Sequence, residues 1–133
     1  MPALYQAGTP GLRQWSLVAL YSVPICLLVD AILHANNLRD ASDDSAAQVR
    51  TLATILGRKA GQRLQLALLF GPLAFVVVGV LTGVLPLWSL LTFLSAPMLI
   101  RAAKSGSVEG TAQTHLLFGL LYTVSFLLPP IFV

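Results

Sequence analysis

From Trp15 to Leu38 the chain carries a single formal charge, Asp30. A helix crosses the hydrocarbon core of a bilayer with roughly 20 apolar residues, in a range of about 17–25. Few other structures accommodate so long an apolar run. Three further runs follow, from Leu64 to Leu85, Leu87 to Ile100 and Ala112 to Val133. The third reaches spanning length only if it extends through Ala103, with Arg101 snorkelling to the interface. Composition agrees: 10% of residues are charged and 56% hydrophobic, where a soluble domain carries about a quarter charged residues. The expected fold is all-α, a polytopic membrane bundle of four transmembrane helices (15–38, 64–85, 87–103 and 112–133) in one domain, residues 1–133. Its expected surroundings are a lipid bilayer, with no nucleic-acid partner.

Gly83 and Pro86 separate the second run from the third as a tight uncharged hairpin, and SGSVEG, Ser105 to Gly110, forms a polar turn before the fourth. The long polar stretch 39–63 reads as a loop, partly helical around TLATILGRKAGQ. Gly79 and Gly83 make a GxxxG pair suited to helix packing. Cys26 lies alone in an apolar run, so it reads as a small buried hydrophobe. No small-residue cleavage site follows the first apolar run, so a removable signal peptide is not expected.

The basic residues orient the bundle. Arg39, Arg50, Arg58, Lys59 and Arg63 lie between the first two runs, and Arg101 and Lys104 between the last two; only Arg13 falls on the other side. The positive-inside rule then makes both loops cytoplasmic and places both termini outside. Trp15 and Trp88 become outer-interface anchors.

Several polar residues sit where apolar ones are expected. Asp30, His34 and Asn37 share one face of a helix. An ionisable group in mid-membrane costs at least ~2.5–3.5 kcal/mol on insertion scales, so it faces a partner or a cavity. Two readings stand: a buried Asp30–His34 pair, or the wall of a polar site. The stripe continues through HANNLRDASDD, where Asp40 and Asp44 occupy adjacent turns. Two such carboxylates repel unless a cation sits between them. Their oxygens suit Mg²⁺, which takes one or two carboxylates and fills its remaining positions with water and phosphate oxygens. The alternative is a solvated helix end, which Ser42 and Asp43 fit better than Asn36, Asn37, Asp40 and Asp44. Arg50, Arg58, Lys59 and Arg63 either add charge-assisted contacts to a diphosphate or serve as topology determinants and anchors to anionic lipid.

AILHANNLRDASDDSAAQVRTLATILG, Ala31 to Gly57, resembles the second aspartate-rich motif of the UbiA superfamily of membrane prenyltransferases. Its NN-x-RD-x-x-x-D form is most similar to that of the 1,4-dihydroxy-2-naphthoate polyprenyltransferases of menaquinone synthesis. GTAQTHLLFGLLYTVSFLLPP, Gly110 to Pro130, is similar to the last span of that group. The resemblance implies the last four helices of a nine-helix fold enclosing an intramembrane cavity. It implies Mg²⁺-dependent transfer of a polyprenyl group from an isoprenyl diphosphate to an aromatic acceptor, 1,4-dihydroxy-2-naphthoate. By position, Asp40 and Asp44 match the magnesium-binding catalytic aspartates, and Asn36, Asn37 and Arg39 match positions contacting the diphosphate or the metal shell. Asp30 and His34 fall where a group orients the aromatic substrate, and Arg50 and Lys59 join the substrate-binding set. The implied location is the bacterial inner membrane with the aspartate-rich loop cytoplasmic.

Two departures qualify the match. After Asp44 the chain reads Ser45-Ala46-Ala47-Gln48-Val49, where many bacterial members have Asp-Arg-x-Ala-Gly-Lys. The family's first motif, Asn-Asp-x-x-Asp, has no counterpart in these residues. The chain therefore reads as a carboxy-terminal portion completed by an amino-terminal half or by self-association. The alternatives are a non-catalytic small membrane protein that binds lipid diphosphates or a partner half, and an unrelated four-span protein associating through Asp30 and His34.

Overall fold

The computed structural model describes residues 11–129, and these are all-helical with no strand among them. Helix α1 spans Leu12–Ala46 and α2 Leu52–Leu81; a 3-10 segment, Leu87–Ser95, leads directly into α3, Ala96–Ser105, and α4 runs Val108–Leu127. Two of these, α1 and α2, are long and apolar enough to cross a membrane. The last residues of the fourth apolar run, 130–133, and both termini lie outside the described residues.

The polar stretch 39–63 is mostly helix rather than loop. Helix α1 continues without a break from its apolar part to Ala46, leaving only residues 47–51 as connector. The apolar-to-polar change at Leu38 marks a change of solvent, not of backbone: the helix runs on to Ala46 although Asp and Ser are weaker helix formers than alanine. At 1.5 Å per residue α1 is about 50 Å long, against a hydrocarbon core of ~30 Å. Its charged end therefore projects beyond the core. Helix α2 starts at a capping box: Thr51 Oγ1 accepts from the Thr54 amide at 3.3 Å and Thr54 Oγ1 from the Thr51 amide at 2.9 Å. Gly57, at φ 74°, then kinks the chain in a conformation that glycine adopts without steric cost.

The third apolar run is not one α-helix. With three residues per turn, the 3-10 segment brings Ser89, Thr92 and Ser95 onto one edge, all 0% exposed. That edge packs on α4, where Ser89 and Ser125 hydroxyls meet at 3.2 Å. Thr92 and Ser95 each donate to a carbonyl three residues back, at 2.7 and 2.6 Å, so the seam is both small and satisfied. Small residues of this kind allow close backbone approach in membrane bundles.

The apolar core joins Leu28 and Ala31 of α1, Leu69, Leu73 and Val76 of α2, Leu99 of α3, and Phe118 and Tyr122 of α4. The Tyr122 hydroxyl donates to the Tyr21 carbonyl at 3.1 Å, tying α4 to α1. The GxxxG pair does not form a helix–helix face. Gly83 lies past the end of α2 at φ 72°, and Leu85 of the same turn folds back onto Gly79, so that a Cβ there would fall 2.6 Å from its side chain. The polar turn before α4 shrinks to Gly106 and Ser107, because Ser107 caps α4 by accepting from the Gly110 amide at 2.8 Å. Cys26 is exposed rather than buried, since α1 turns that face away from α2 and α4. Trp88, at the opposite end from the charged connector, donates to the Pro129 carbonyl at 2.7 Å.

Candidate functional site

Because α1 stays helical past Leu38, the polar stripe is one continuous wall. At ~100° per residue, Asp30, Asn37 and Asp44 differ by only about 20° per step, and Asp40 and Asn36 flank them on one side. His34 lies on the other flank and is 3% exposed. Its Nε2 donates to the Gly61 carbonyl of α2 at 2.9 Å, which leaves Nδ1 as the ring's remaining nitrogen. Gly61 permits this approach; a Cβ there would come 2.8 Å from Leu38 Cδ2.

That bond takes the ring away from Asp30. Asp30 is exposed and makes no ion pair with His34, whose ring is turned into the α1–α2 contact. Asp30, His34 and Asn37 instead line a cleft of about 230 Å³ together with Leu33, Leu64 and Leu68. The cleft is apolar with three polar groups along one wall.

Farther up the stripe, Arg39 organises the motif. Its Nε donates to Asp40 Oδ1 at 2.8 Å, and its Nη2 donates to Asp40 Oδ2 at 3.0 Å and to Asn36 Oδ1 at 2.7 Å. The donated hydrogen bonds, with the guanidinium charge, hold the Asp40 carboxyl below the usual carboxylate range, and the same contact raises Arg39. The pair is solvent-exposed, so its worth is in geometry rather than stability. Its structural effect is to fix the orientation of the Asp40 carboxylate.

Asp44 is half-buried one turn beyond Asp40. Among the described residues no three His, Cys, Asp or Glu side chains gather to hold an ion. The donor set is thus two carboxylates and two carboxamides on one helix. It matches the one or two carboxylates that Mg²⁺ takes from protein, and a carboxylate bonded to arginine on both oxygens keeps lone pairs for a cation.

The other predicted residues disperse. Arg50 sits in the connector and lines a shallow open groove with Gln48 and Thr54. Lys59 is exposed on α2 and lines none of the clefts described here. Its neighbour Arg58, one position earlier, faces α1 across a groove of about 480 Å³ that Arg39 and Ser42 also line. Lys104, Gln62 and Gln65 had no motif to single them out, yet they meet Arg39 and Arg58 in a further cleft. Only their positions at the charged ends of α2 and α3 hinted at it.

A model of the UbiA prenyltransferase family matches residues 1–118. The chain is 36% identical to a 1,4-dihydroxy-2-naphthoate octaprenyltransferase of Bacillus subtilis over 121 residues, which cover 82% of this chain and 39% of that protein. It is 35% identical to the UbiA prenyltransferase domain-containing protein 1 homolog of Drosophila melanogaster, covering 86% of this chain and 33% of the relative. It is 34% identical to the human UbiA prenyltransferase domain-containing protein 1, covering 84% and 34%. The chain thus spans about a third of the length of the curated relatives it matches. No solved structure matches it.

Proposed function

The chain belongs to the UbiA prenyltransferase family, and from that premise we propose that it supplies one wall of a magnesium-dependent polyprenyltransferase site in a four-span membrane bundle. Members of the family are membrane-bound prenyltransferases. The observation that carries the reading is the uninterrupted helix α1, which aligns an apolar cleft holding Asp30, His34 and Asn37 with the carboxylates of Asp40 and Asp44 above it. The stripe runs from a lipid-like environment to a charged, wet one. A substrate with an apolar tail and a diphosphate head has the same polarity profile.

Asp40 and Asp44 are the residues that would hold Mg²⁺, which when bound neutralises charge on a departing diphosphate. Arg39 orients Asp40, and Asn36, whose Oδ1 accepts from the same guanidinium, has its amide nitrogen left as a donor to phosphate oxygens. Asn37 sits between this polar end and the cleft. Asp30 and the His34 ring border the cleft where an aromatic hydroxyl finds an acceptor, while Leu33, Leu64 and Leu68 form its apolar side. The substrates best supported are an isoprenyl diphosphate and 1,4-dihydroxy-2-naphthoate, the latter from the name of the Bacillus relative. The charged end then faces the cytoplasm of a bacterial inner membrane, with the seven basic residues of that end on the inner side.

The test is to co-express this chain with the amino-terminal portion of the Bacillus relative and assay Mg²⁺-dependent prenylation of 1,4-dihydroxy-2-naphthoate in membranes. Asp40→Asn and Asp44→Asn should each lower turnover by a factor of 10² or more, a typical loss for one transition-state electrostatic partner, while membrane insertion stays intact. Turnover unchanged in either variant removes the metal-holding role.

A further inference from the structure

On the side of α1 turned away from Asp40 and Asp44, a cleft of about 510 Å³ opens among α1, α2 and the α3–α4 turn. Ala35, Leu38 and Arg39 form its α1 wall, roughly half a helical turn around from Asp44. Arg58, Gln62 and Gln65 come from α2, and Lys104 to Gly106 from the end of α3. Three cations therefore converge on it, and no carboxylate lines it. Arg39 is already bonded to Asp40; Arg58 and Lys104 make no ion pair among the described residues.

A second observation is independent of the charges. Gln65 is 6% exposed, and its Oε1 is buried with no hydrogen-bond partner. A buried, unpaired amide oxygen is costly and rare in native structures. Gln65 lines a cleft large enough for a small polar ligand; its Oε1 is enclosed by protein, so the contact to a phosphate oxygen falls to the amide nitrogen, a donor. The cleft also lies at the charged end, where α1 and α2 leave the apolar zone.

We propose that this cleft is a second anion site, distinct from the aspartate-rich face, which takes a phosphate group between Arg58 and Lys104 with Gln65 as a neutral hydrogen-bonding partner. The phosphate comes either from an anionic lipid headgroup or from free phosphate. Basic pockets between membrane helices on the cytoplasmic side are built for the former. The position fits it: Leu38 and Leu66 give the cleft apolar sides, on which the acyl chains of a lipid would lie. Arg39 joins the two sites, since the same guanidinium borders this cleft and holds Asp40.

The experiment reconstitutes the full chain in nanodiscs of mixed phosphatidylglycerol and phosphatidylcholine and counts retained lipids by native mass spectrometry. A parallel arm measures binding of radiolabelled inorganic phosphate in phosphatidylcholine nanodiscs. Arg58→Gln and Lys104→Gln should each weaken binding about tenfold, the loss of one charge-assisted contact. Arg63→Gln, which removes a charge at the same end outside the cleft, should change it less than about twofold. Lys104→Arg should hold binding within about twofold, which separates lost contact from lost folding. Selective retention of phosphatidylglycerol under this pattern assigns the lipid source; the same pattern with inorganic phosphate alone assigns the free ion. Equal losses in Arg63→Gln and Lys104→Gln, or binding of neither probe, overturn the proposal. None of these readouts depends on prenyl transfer, so failure here leaves the aspartate-rich site untouched.

Discussion

A single methyl group at Gly61 tests the contact on which the polar wall depends. A Cβ there falls 2.8 Å from Leu38 Cδ2 and 3.7 Å from His34 Nε2. Carbon–carbon contacts are most favourable at about 3.5–4.0 Å, so roughly 1 Å must be found. Either Leu38, half-buried, rotates away, or α1 and α2 separate and stretch the His34–Gly61 bond. Overpacking of this size typically costs about 1–3 kcal/mol, and replacing glycine by alanine inside a helix returns about 1 kcal/mol. Gly61→Ala is therefore expected to destabilise the chain by about 0–2 kcal/mol, the remainder of those opposing effects. In a Leu38→Ala background the obstructing methyl is gone, and the same substitution should stabilise by about 1 kcal/mol. The double-mutant cycle then reads the steric coupling alone. Helicity followed through dodecyl sulfate titration in mixed micelles measures all four proteins. Equal shifts in both backgrounds would mean that α1 and α2 do not meet at Gly61, and the placement of His34 would go with it.

Other substitutions probe the remaining parts. Asp30→Leu should favour membrane insertion by at least ~2.5 kcal/mol in a glycosylation-mapping assay, because an unpaired acid leaves the span; a loss of stability would point to a partner for Asp30. Arg39→Gln should let the Asp40 carboxyl rise toward its ordinary value of 3.8. The folded value lies below that figure, so the pair's contribution is present above pH 3.8 and fades as pH falls through the lower folded value. Carboxyl carbon shifts of Asp40 followed against pH report this directly, and identical midpoints in the two proteins would contradict the pairing. Thr92→Leu should destabilise by about 1–3 kcal/mol by overfilling the seam between the 3-10 segment and α4, well beyond Thr92→Val; equal effects in micelle unfolding would show that the seam is loose.

The class of this protein was legible because it depends on quantities additive along the chain. Apolar run length decides what solvent a helix prefers, and the spacing of Arg and Lys decides which end stays wet. The motif from Asn36 to Asp44 was legible too, because its residues are close in sequence and share one helix. The end of α1 was not. Leu38 is where the outer face turns polar, and that looks like a terminus in sequence although the backbone bonds continue to Ala46. The 3-10 segment left one trace, Ser89, Thr92 and Ser95 at intervals of three. Three small polar residues at that spacing also share one face of an α-helix, so the period alone did not separate the two.

Sequence by itself determined the helical membrane character, the polarity of the two ends and the pair of adjacent carboxylates, since each follows from neighbours within a turn or a run. Tertiary structure decided that His34 bonds to Gly61 rather than Asp30, that Arg58 and not Lys59 faces α1, and that Gln65 and Lys104 share a cleft. Those outcomes depend on how helices rotate against one another. That rotation is fixed by a few close contacts, such as Gly61 against Leu38 and Ser89 against Ser125, between residues 23 and 36 positions apart.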